Sequence, residues 1–289
     1  MMNIDMKKTV IESAYAKINL WLEILGRRED GYHNIRSIMQ TVSLCDTVTV
    51  RLTEREVGMT CSDSTLSCGR DNLCVRAAEI FIQECGGGFG VSLHLEKNIP
   101  REAGLGGGSA DAAAVLRALN TLCGEFFDTD FLRKMGKKLG ADVPFCISGG
   151  TALAEGVGEI LSEYYSIPDC FIVVSGGVGH ISTPEAYRRI DSVPDVCGRD
   201  FGSFQEAMKT GDLAVIGKNL YNRFEDAVPE ALEIKAILLS SGAAGTLMSG
   251  SGSAVFGLFD SLKKVDMACA LLEKAGLSSY ICHSIKQYH

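Results

Sequence analysis

"PREAGLGGGSADAAAVLRALN", residues 100–120, decides how the rest of this chain is read. Gly104, Gly106, Gly107 and Gly108, interrupted only by Leu105, run straight into an alanine-rich stretch with helical apolar spacing. Glycine loses the most freedom on folding and is a poor helix former, so this many at the mouth of a helix need a purpose. A flexible linker, a dinucleotide-binding turn and a phosphate cradle compete. The helix follows at once, with Ser109 placed to cap it, which argues against a linker. No Lys-Ser/Thr pair closes the run, so it is not a Walker A loop. No acidic residue ends a following strand about 20 residues on, so it fits a Rossmann turn poorly. A helix N-terminus offers N–H groups and a positive dipole end, and glycines let an anion approach them. The stretch reads as a phosphate cradle of another kind.

The flanking pattern mixes strands with helices. Before the cradle, "AYAKINLWLEIL" (14–25) alternates as a strand and "REDGYH" follows as a turn. "DTVTVRLTE" (46–54) reads as a second strand, with Asp46 as punctuation. Residues 71–85 read as an amphipathic helix capped by Asp71 and ended at "GGGFG", and "VSLHLEKNIP" as a further strand. After the cradle a helix is expected from about Ser109 to Leu122, then a short one over "DTDFLRKMGKKLG". Glycines 149, 150, 156 and 158 imply turns around a hairpin. Near residue 160 the pattern restarts with the strand "CFIVVSGG" and the helix "STPEAYRRID". Residues 203–243 read as nearly all helix, broken at Gly211 and Pro229. A glycine-rich turn, "MSGSGSAVFGLF" (248–259), then joins two strands, ahead of a last helix and the strand "YICHSIK".

The chain has 289 residues and a formal net charge of −8. That excess of acid argues against nucleic acid as partner but leaves room for a small phosphorylated ligand at a local positive site. The first residues carry no apolar core of a secretory signal, and no stretch approaches the roughly 20 apolar residues of a membrane span. Eleven scattered cysteines without CxxC spacing read as reduced, mostly buried thiols of a cytosolic protein.

Four further features compete with blander readings. Lys17 lies in a strand that otherwise faces inward; it points to solvent or to a phosphate or carboxylate, and Asn19 shares its face by the two-residue period. Asp142 in "GADVPFC" is a turn residue, with Pro144 biasing Val143 toward extended backbone, or a buried carboxylate able to take a proton. Tyr32 and His33 in "DGYHN" form a surface turn or an aromatic platform with a histidine at its edge. The turn at 248–259 is a tight hairpin or a second loop closing over the same ligand.

Taken together, "PREAGLGGGSADAA", "SGSGSAVFGLF" and the ordered set "AYAKINL", "DGYHN", "DNLCVRAA" and "GADVPFCISGGTALAEG" resemble the GHMP kinases, over about residues 13–259. The resemblance implies an α+β fold of two domains. Residues 1–160 would form an ATP-binding domain like domain 2 of ribosomal protein S5, and 161–289 a ferredoxin-like domain, with the active site in the cleft between them. ATP and Mg²⁺ are the implied cofactors. The ordered motif set is similar to a branch whose acceptor is a small molecule, which implies a cytidine-diphosphate-linked methylerythritol as substrate. The alternatives are a homoserine or mevalonate type of acceptor, or a catalytically silent nucleotide-binding paralogue. A cytoplasmic monomer or homodimer without nucleic-acid or membrane partners is expected.

The resemblance also implies residues. Lys17 and Asp142 match the catalytic pair. Asn19, Tyr32 and His33 match substrate contacts, with Tyr32 stacking on cytosine and His33 reading its edge; Thr183 and Tyr187 match further ones, Tyr187 as second aromatic of the sandwich. Asn72, Leu73 and Lys97 match the adenine pocket. Pro100 and Gly104, Leu105, Gly106, Gly107, Gly108 and Ser109 match the triphosphate loop. Asp111 stands where many members carry an asparagine, an acid set beside phosphates. It suits the dipole of a first turn or turns toward Mg²⁺ or the adenine edge.

Overall fold

A computed structural model describes residues 8–176, 182–194 and 200–286. They form two compact units that interleave along the chain. The first takes the described part of Met1–Ala16 with Cys45–Ile99 and Gly106–Ser148; the second takes Lys17–Leu44, Pro100–Leu105 and the described part of Gly149–His289. Two long strands, β1 (Thr9–Arg27) and β2 (His33–Thr53), give one end to each.

In the first unit, the later half of β2 pairs antiparallel with β4 (Gly90–Glu96), and β3 (Val57–Cys61) pairs parallel with β4. β4 alternates buried and exposed side chains, as a sheet with one solvated face requires. The helices are α1 (Leu73–Glu84), α2 (Gly107–Leu122), α3 (Thr129–Lys137) and α4 (Val143–Ser148). α2 packs on α1 and α4, and its buried residues lie on nearly every side. Small alanines at 110, 112, 113, 114 and 118 allow that close packing. Arg117 ties α2 to the carbonyls of Cys146 and Ser13.

In the second unit, the first half of β2 pairs with β5 (Thr151–Gly156), which forms a hairpin with β6 (Ile160–Glu163). A separate antiparallel sheet holds β7 (Phe171–Ser175), β9 (Gly245–Met248), β10 (Val255–Phe259) and β11 (Tyr280–Cys282) in the order β11-β7-β10-β9. Numbered within the sheet this is 4-1-3-2, the ferredoxin-like arrangement. Helices α5 (Thr183–Asp191), α6 (Phe201–Thr210), α7 (Leu213–Lys218) and α8 (Ala231–Ser240) lie between β7 and β9 in the chain, and α9 (Leu262–Lys274) between β10 and β11. Val173, Ile234, Leu238, Phe259, Val265 and Leu272 are in its core.

The structure corrects several expectations. β2 starts at His33, not Asp46: residues 38–42 are buried on both faces, so no alternation marks them. Asn72, not Asp71, caps α1, accepting the Cys74 N–H at 2.9 Å. α2 begins at Gly107 behind a left-handed Gly106, and no side chain caps it, so Ser109 lies inside the helix. Val143 opens α4 rather than staying extended, because Pro144 in a first turn removes an N–H that has no helical partner anyway. Tyr221–Asn222 is a two-residue strand, β8, paired parallel with β1, and Arg223–Ala227 is a 3₁₀ turn, so 203–243 is not continuous helix. Asn222 bends the chain there, donating to the Met248 and Gly250 carbonyls at 2.7 and 2.8 Å.

Ten described cysteines are free thiols, half of them buried and Cys68 exposed; Cys197 lies outside the described residues. Burial pushes Cys85, Cys170 and Cys282 up to about 12, so they stay neutral and unreactive. Among the described residues no helix is long and apolar enough to cross a membrane.

Candidate active site

In the second unit Lys17 is buried at 4 % exposure, so of its two readings the solvated one fails. Its Nζ donates to Asn19 Oδ1 at 2.7 Å and to the Gly104 carbonyl at 2.8 Å. Lys17 and Asn19 therefore do share a strand face, and Asn19 passes the chain of bonds to Ser37 Oγ at 2.8 Å, which donates to the Trp21 carbonyl. The backbone N–H of Lys17 donates to the Leu105 carbonyl. One short segment of β1 thus holds the first half of the glycine loop by main chain and side chain together.

The second glycine turn meets that same half-loop. Ser249 Oγ donates to the Gly104 carbonyl at 3.0 Å, and the Ala254 N–H to the Ala103 carbonyl at 3.0 Å. The approach needs glycine: a Cβ on Gly104 would lie 2.0 Å from the Ser249 oxygen, and φ there is +78°. A Cβ on Gly250 would lie 3.0 Å from Lys17 Nζ. Thr183, at the start of α5, reaches the turn through Ser251 at 3.1 Å. Pro100 begins this half-loop and is half-buried.

His33, Tyr187 and Asp191 form a second cluster in this unit. His33 is buried, its ring stacked on Tyr187 with centroids 4.6 Å apart and planes 13° from parallel. Its Nε2 meets Asp191 Oδ1 at 2.8 Å. Tyr187 in turn sets its edge against Phe224. One face of Tyr187 is therefore occupied by His33. Tyr32, one residue before, is 65 % exposed, in a turn held by Asp30 and Arg28.

In the first unit the other half of the loop, Gly106–Ser109, enters α2. Leu73, the first residue of α1, lies 3.7 Å from where a Cβ on Gly108 would stand. Asn72 is held: its Oδ1 caps α1 and its Nδ2 donates to the Ser67 carbonyl at 2.7 Å. Asp142 directly precedes α4, half-buried, its carbonyl accepting the Cys146 N–H at 3.0 Å.

Asp111 is not in the first turn of the helix, one of its two expected positions. It lies beyond the first turn of α2, fully buried, and Oδ2 accepts from Lys97 Nζ at 2.8 Å. Lys97 also donates to Asp46, whose other oxygen accepts the N–H groups of Asn98 and Ile99. Two carboxylates thus share one ammonium with almost no water. Burial disfavours the Lys97 ammonium, but Asp111 and Asp46 outweigh it and raise its pKa. Burial pushes Asp111 up to about 8, opposed by Lys97 and reinforced by Asp46. Asp111 Oδ1 is buried with no hydrogen-bond partner, which a neutral acid tolerates far better than an ion. The raised pKa and the unpartnered oxygen both favour the protonated form of Asp111. Lys97 Nζ stands 3.4 Å from where a Cβ on Gly107 would be, against the cradle's first turn.

Asp46, Asp191, Ser37 and Asn222 were not expected here. Asp46 looked like punctuation, and Asp191 is 158 positions from the histidine it holds, so neither leaves a local signal. Among the described residues no group of three or more His, Cys, Asp or Glu side chains is arranged to hold a metal ion.

The family model for the GHMP kinases N terminal domain matches residues 72–150, and that for the GHMP kinases C terminal matches 198–284. The chain is 40 % identical to a 4-diphosphocytidyl-2-C-methyl-D-erythritol kinase of Desulfitobacterium hafniense strain Y51, over 95 % of each chain. It resembles the crystal structure of a 4-(cytidine 5'-diphospho)-2C-methyl-D-erythritol kinase with a TM-score of 0.80 and 35 % identity, covering 95 % of this chain and 99 % of that one. A homoserine kinase from Cytophaga hutchinsonii shares the fold at a TM-score of 0.74 and 19 % identity, covering 98 % and 96 % of the two chains.

Proposed function

The chain belongs to the GHMP kinases, in the family of the methylerythritol-derivative kinases it matches, and from that membership we propose that it transfers the terminal phosphoryl group of ATP to the 2-hydroxyl of 4-diphosphocytidyl-2-C-methyl-D-erythritol. That places it in the non-mevalonate route to isoprenoids. The observation that carries phosphoryl transfer is Lys17, a buried ammonium bonded to the Gly104 carbonyl where the two glycine turns meet. The acceptor follows from the relatives.

In this reading Asp142 takes the proton from the attacking hydroxyl, and Lys17 orients that hydroxyl and offsets developing charge. Catalysis in phosphoryl transfer is mostly in-line positioning and charge stabilisation, and the N–H groups of Gly106–Ser109 supply the second. Asn72, Leu73 and Lys97 border the adenine, with Leu73 giving the apolar surface. Asn19, Tyr32, His33, Thr183 and Tyr187 border the acceptor. Residues 1–160 carry ATP and 161–289 complete the enzyme, a cytoplasmic monomer or homodimer acting on a small molecule. Mg²⁺ would arrive with the triphosphate, held by its phosphates, water and one or two carboxylates. Asp111 is committed to Lys97 and is not counted among its ligands.

The test is ATP consumption by the purified protein with the cytidine-linked methylerythritol, homoserine and mevalonate as separate acceptors. Turnover confined to the first is expected. Preference for either other acceptor refutes the proposal, and consumption with none of them supports the silent paralogue.

A further inference from the structure

Helix α5 presents Tyr187 and Asp191 four positions apart, hence on one face, and both close on His33. The tyrosine covers the flat of the imidazole and the aspartate takes its edge at Nε2, while burial leaves the ring only about 7 % exposed. Phe224, in the core of the unit, backs the tyrosine at 4.9 Å. The imidazole is therefore fixed in both tilt and rotation by one helix. With Asp191 as a carboxylate it accepts in this contact, and Nε2 is then the nitrogen that carries the proton. In the neutral ring Nδ1 is then an acceptor.

We propose that Asp191 is a positioning residue for base selection: by holding the Nε2 proton of His33 it makes Nδ1 a lone-pair acceptor that selects cytosine over uracil. This rests on the reading that His33 borders the base of the acceptor substrate. The chemistry is a matching of donors. Cytosine carries an amino group at position 4, which donates to such a nitrogen; uracil carries a carbonyl there, which sets two acceptors against each other. A site built around one such buried bond rejects the partner that cannot make it. Without Asp191 the ring is free to carry its proton on either nitrogen, and the Nδ1-protonated form no longer opposes uracil. Asp191 is itself partly solvated at 41 % exposure, so replacing it leaves the core intact.

The experiment uses the full-length protein, the cytidine-linked substrate and its uridine-linked counterpart. For Asp191→Ala the expected result is a KM for the cytidine substrate raised about tenfold, a cytidine-to-uridine ratio of kcat/KM reduced by at least that factor, and an unchanged KM for ATP. Asp191→Asn restores most of the ratio, because its amide oxygen accepts the same proton. Nitrogen-15 NMR of the wild-type protein shows His33 as the Nε2–H tautomer, and the alanine variant shows a mixture. An unchanged ratio in Asp191→Ala, or equal loss toward ATP and both acceptors, overturns the assignment. His33→Ala separates this failure from that of the underlying reading. If it raises the KM for the cytidine substrate while Asp191→Ala does not, only the positioning role falls. If it leaves that KM unchanged, His33 does not border the base and both fall.

Discussion

Replacing Asp111 by asparagine tests the buried carboxyl–ammonium cluster most directly. Asp111 is held at about 8 in the folded protein against an ordinary value of 3.8. Between those values the folded chain keeps a proton that the unfolded chain has released. Stability therefore falls as pH rises through this window, since the unfolded state binds fewer protons there. Below about pH 4 both states are protonated, and above about pH 8 both are ionised, so the slope vanishes at either end. Each pH unit across the window removes at most about 1.4 kcal/mol, which bounds the whole loss at about 6 kcal/mol. Relaxation of the ionised site and partial compensation by Lys97 bring the expected loss to about 2–4 kcal/mol.

Asparagine reproduces the neutral acid: its oxygen accepts from Lys97 and it never ionises. Urea unfolding followed by far-UV circular dichroism between pH 5 and 9, for wild type and Asp111→Asn, gives the difference directly. Other titrating groups cancel in the comparison. The two proteins are expected to differ least at the acid end of this range, since they match only below about pH 4, with the variant the more stable by about 2–4 kcal/mol at pH 9. The wild-type KM for ATP rises above pH 8, as the net charge under the cradle turns negative, and that of the variant does not. A difference that stays flat from pH 5 to 9 refutes the argument, as does a variant that is the less stable one at pH 9.

Asp142→Asn is expected to lower turnover about 10³-fold with the acceptor KM within threefold of wild type, measured by steady-state ATP consumption; near-normal turnover removes Asp142 as the base. Tyr32→Ala raises the KM for the cytidine substrate and leaves both the ATP KM and the melting temperature unchanged, since the ring is largely exposed; a lowered melting temperature makes the ring a packing residue. Gly104→Ala places a methyl on the Ser249 carbonyl in a left-handed turn and costs about 2–4 kcal/mol by urea unfolding. A variant as stable as wild type shows that the two glycine turns do not meet as described.

What could be read from sequence was whatever nearby residues decide. The strand at 90–96 alternates because one of its faces is wet, and α3 and α5 show their caps, Asp128 and Ser182, in place. Reading failed where that contrast disappears. β2 from 38 to 42 is buried on both faces, and α2 begins at a glycine whose left-handed backbone leaves no side-chain mark. Lys17 and Asn19 were legible as neighbours because two residues bring a strand back to the same face. Asp46, Lys97 and Asp111 are 51 and 14 positions apart along their two contacts, and no period connects them. The consequence for charge is larger than the consequence for shape. Read alone, Asp111 is an anion set beside phosphates and Lys97 a cation set beside adenine. Brought together with Asp46 in a dry site, the two carboxyls share one ammonium, and burial pushes Asp111 up to about 8. A charge inferred from residue type is therefore a safer guide at the solvated Arg28–Asp30 turn than at the buried Lys97–Asp111 contact, where the neighbours shift the proton. His33 shows a related pattern: its residue type allows two tautomers, and the carboxylate that bears on the choice comes from 158 positions away.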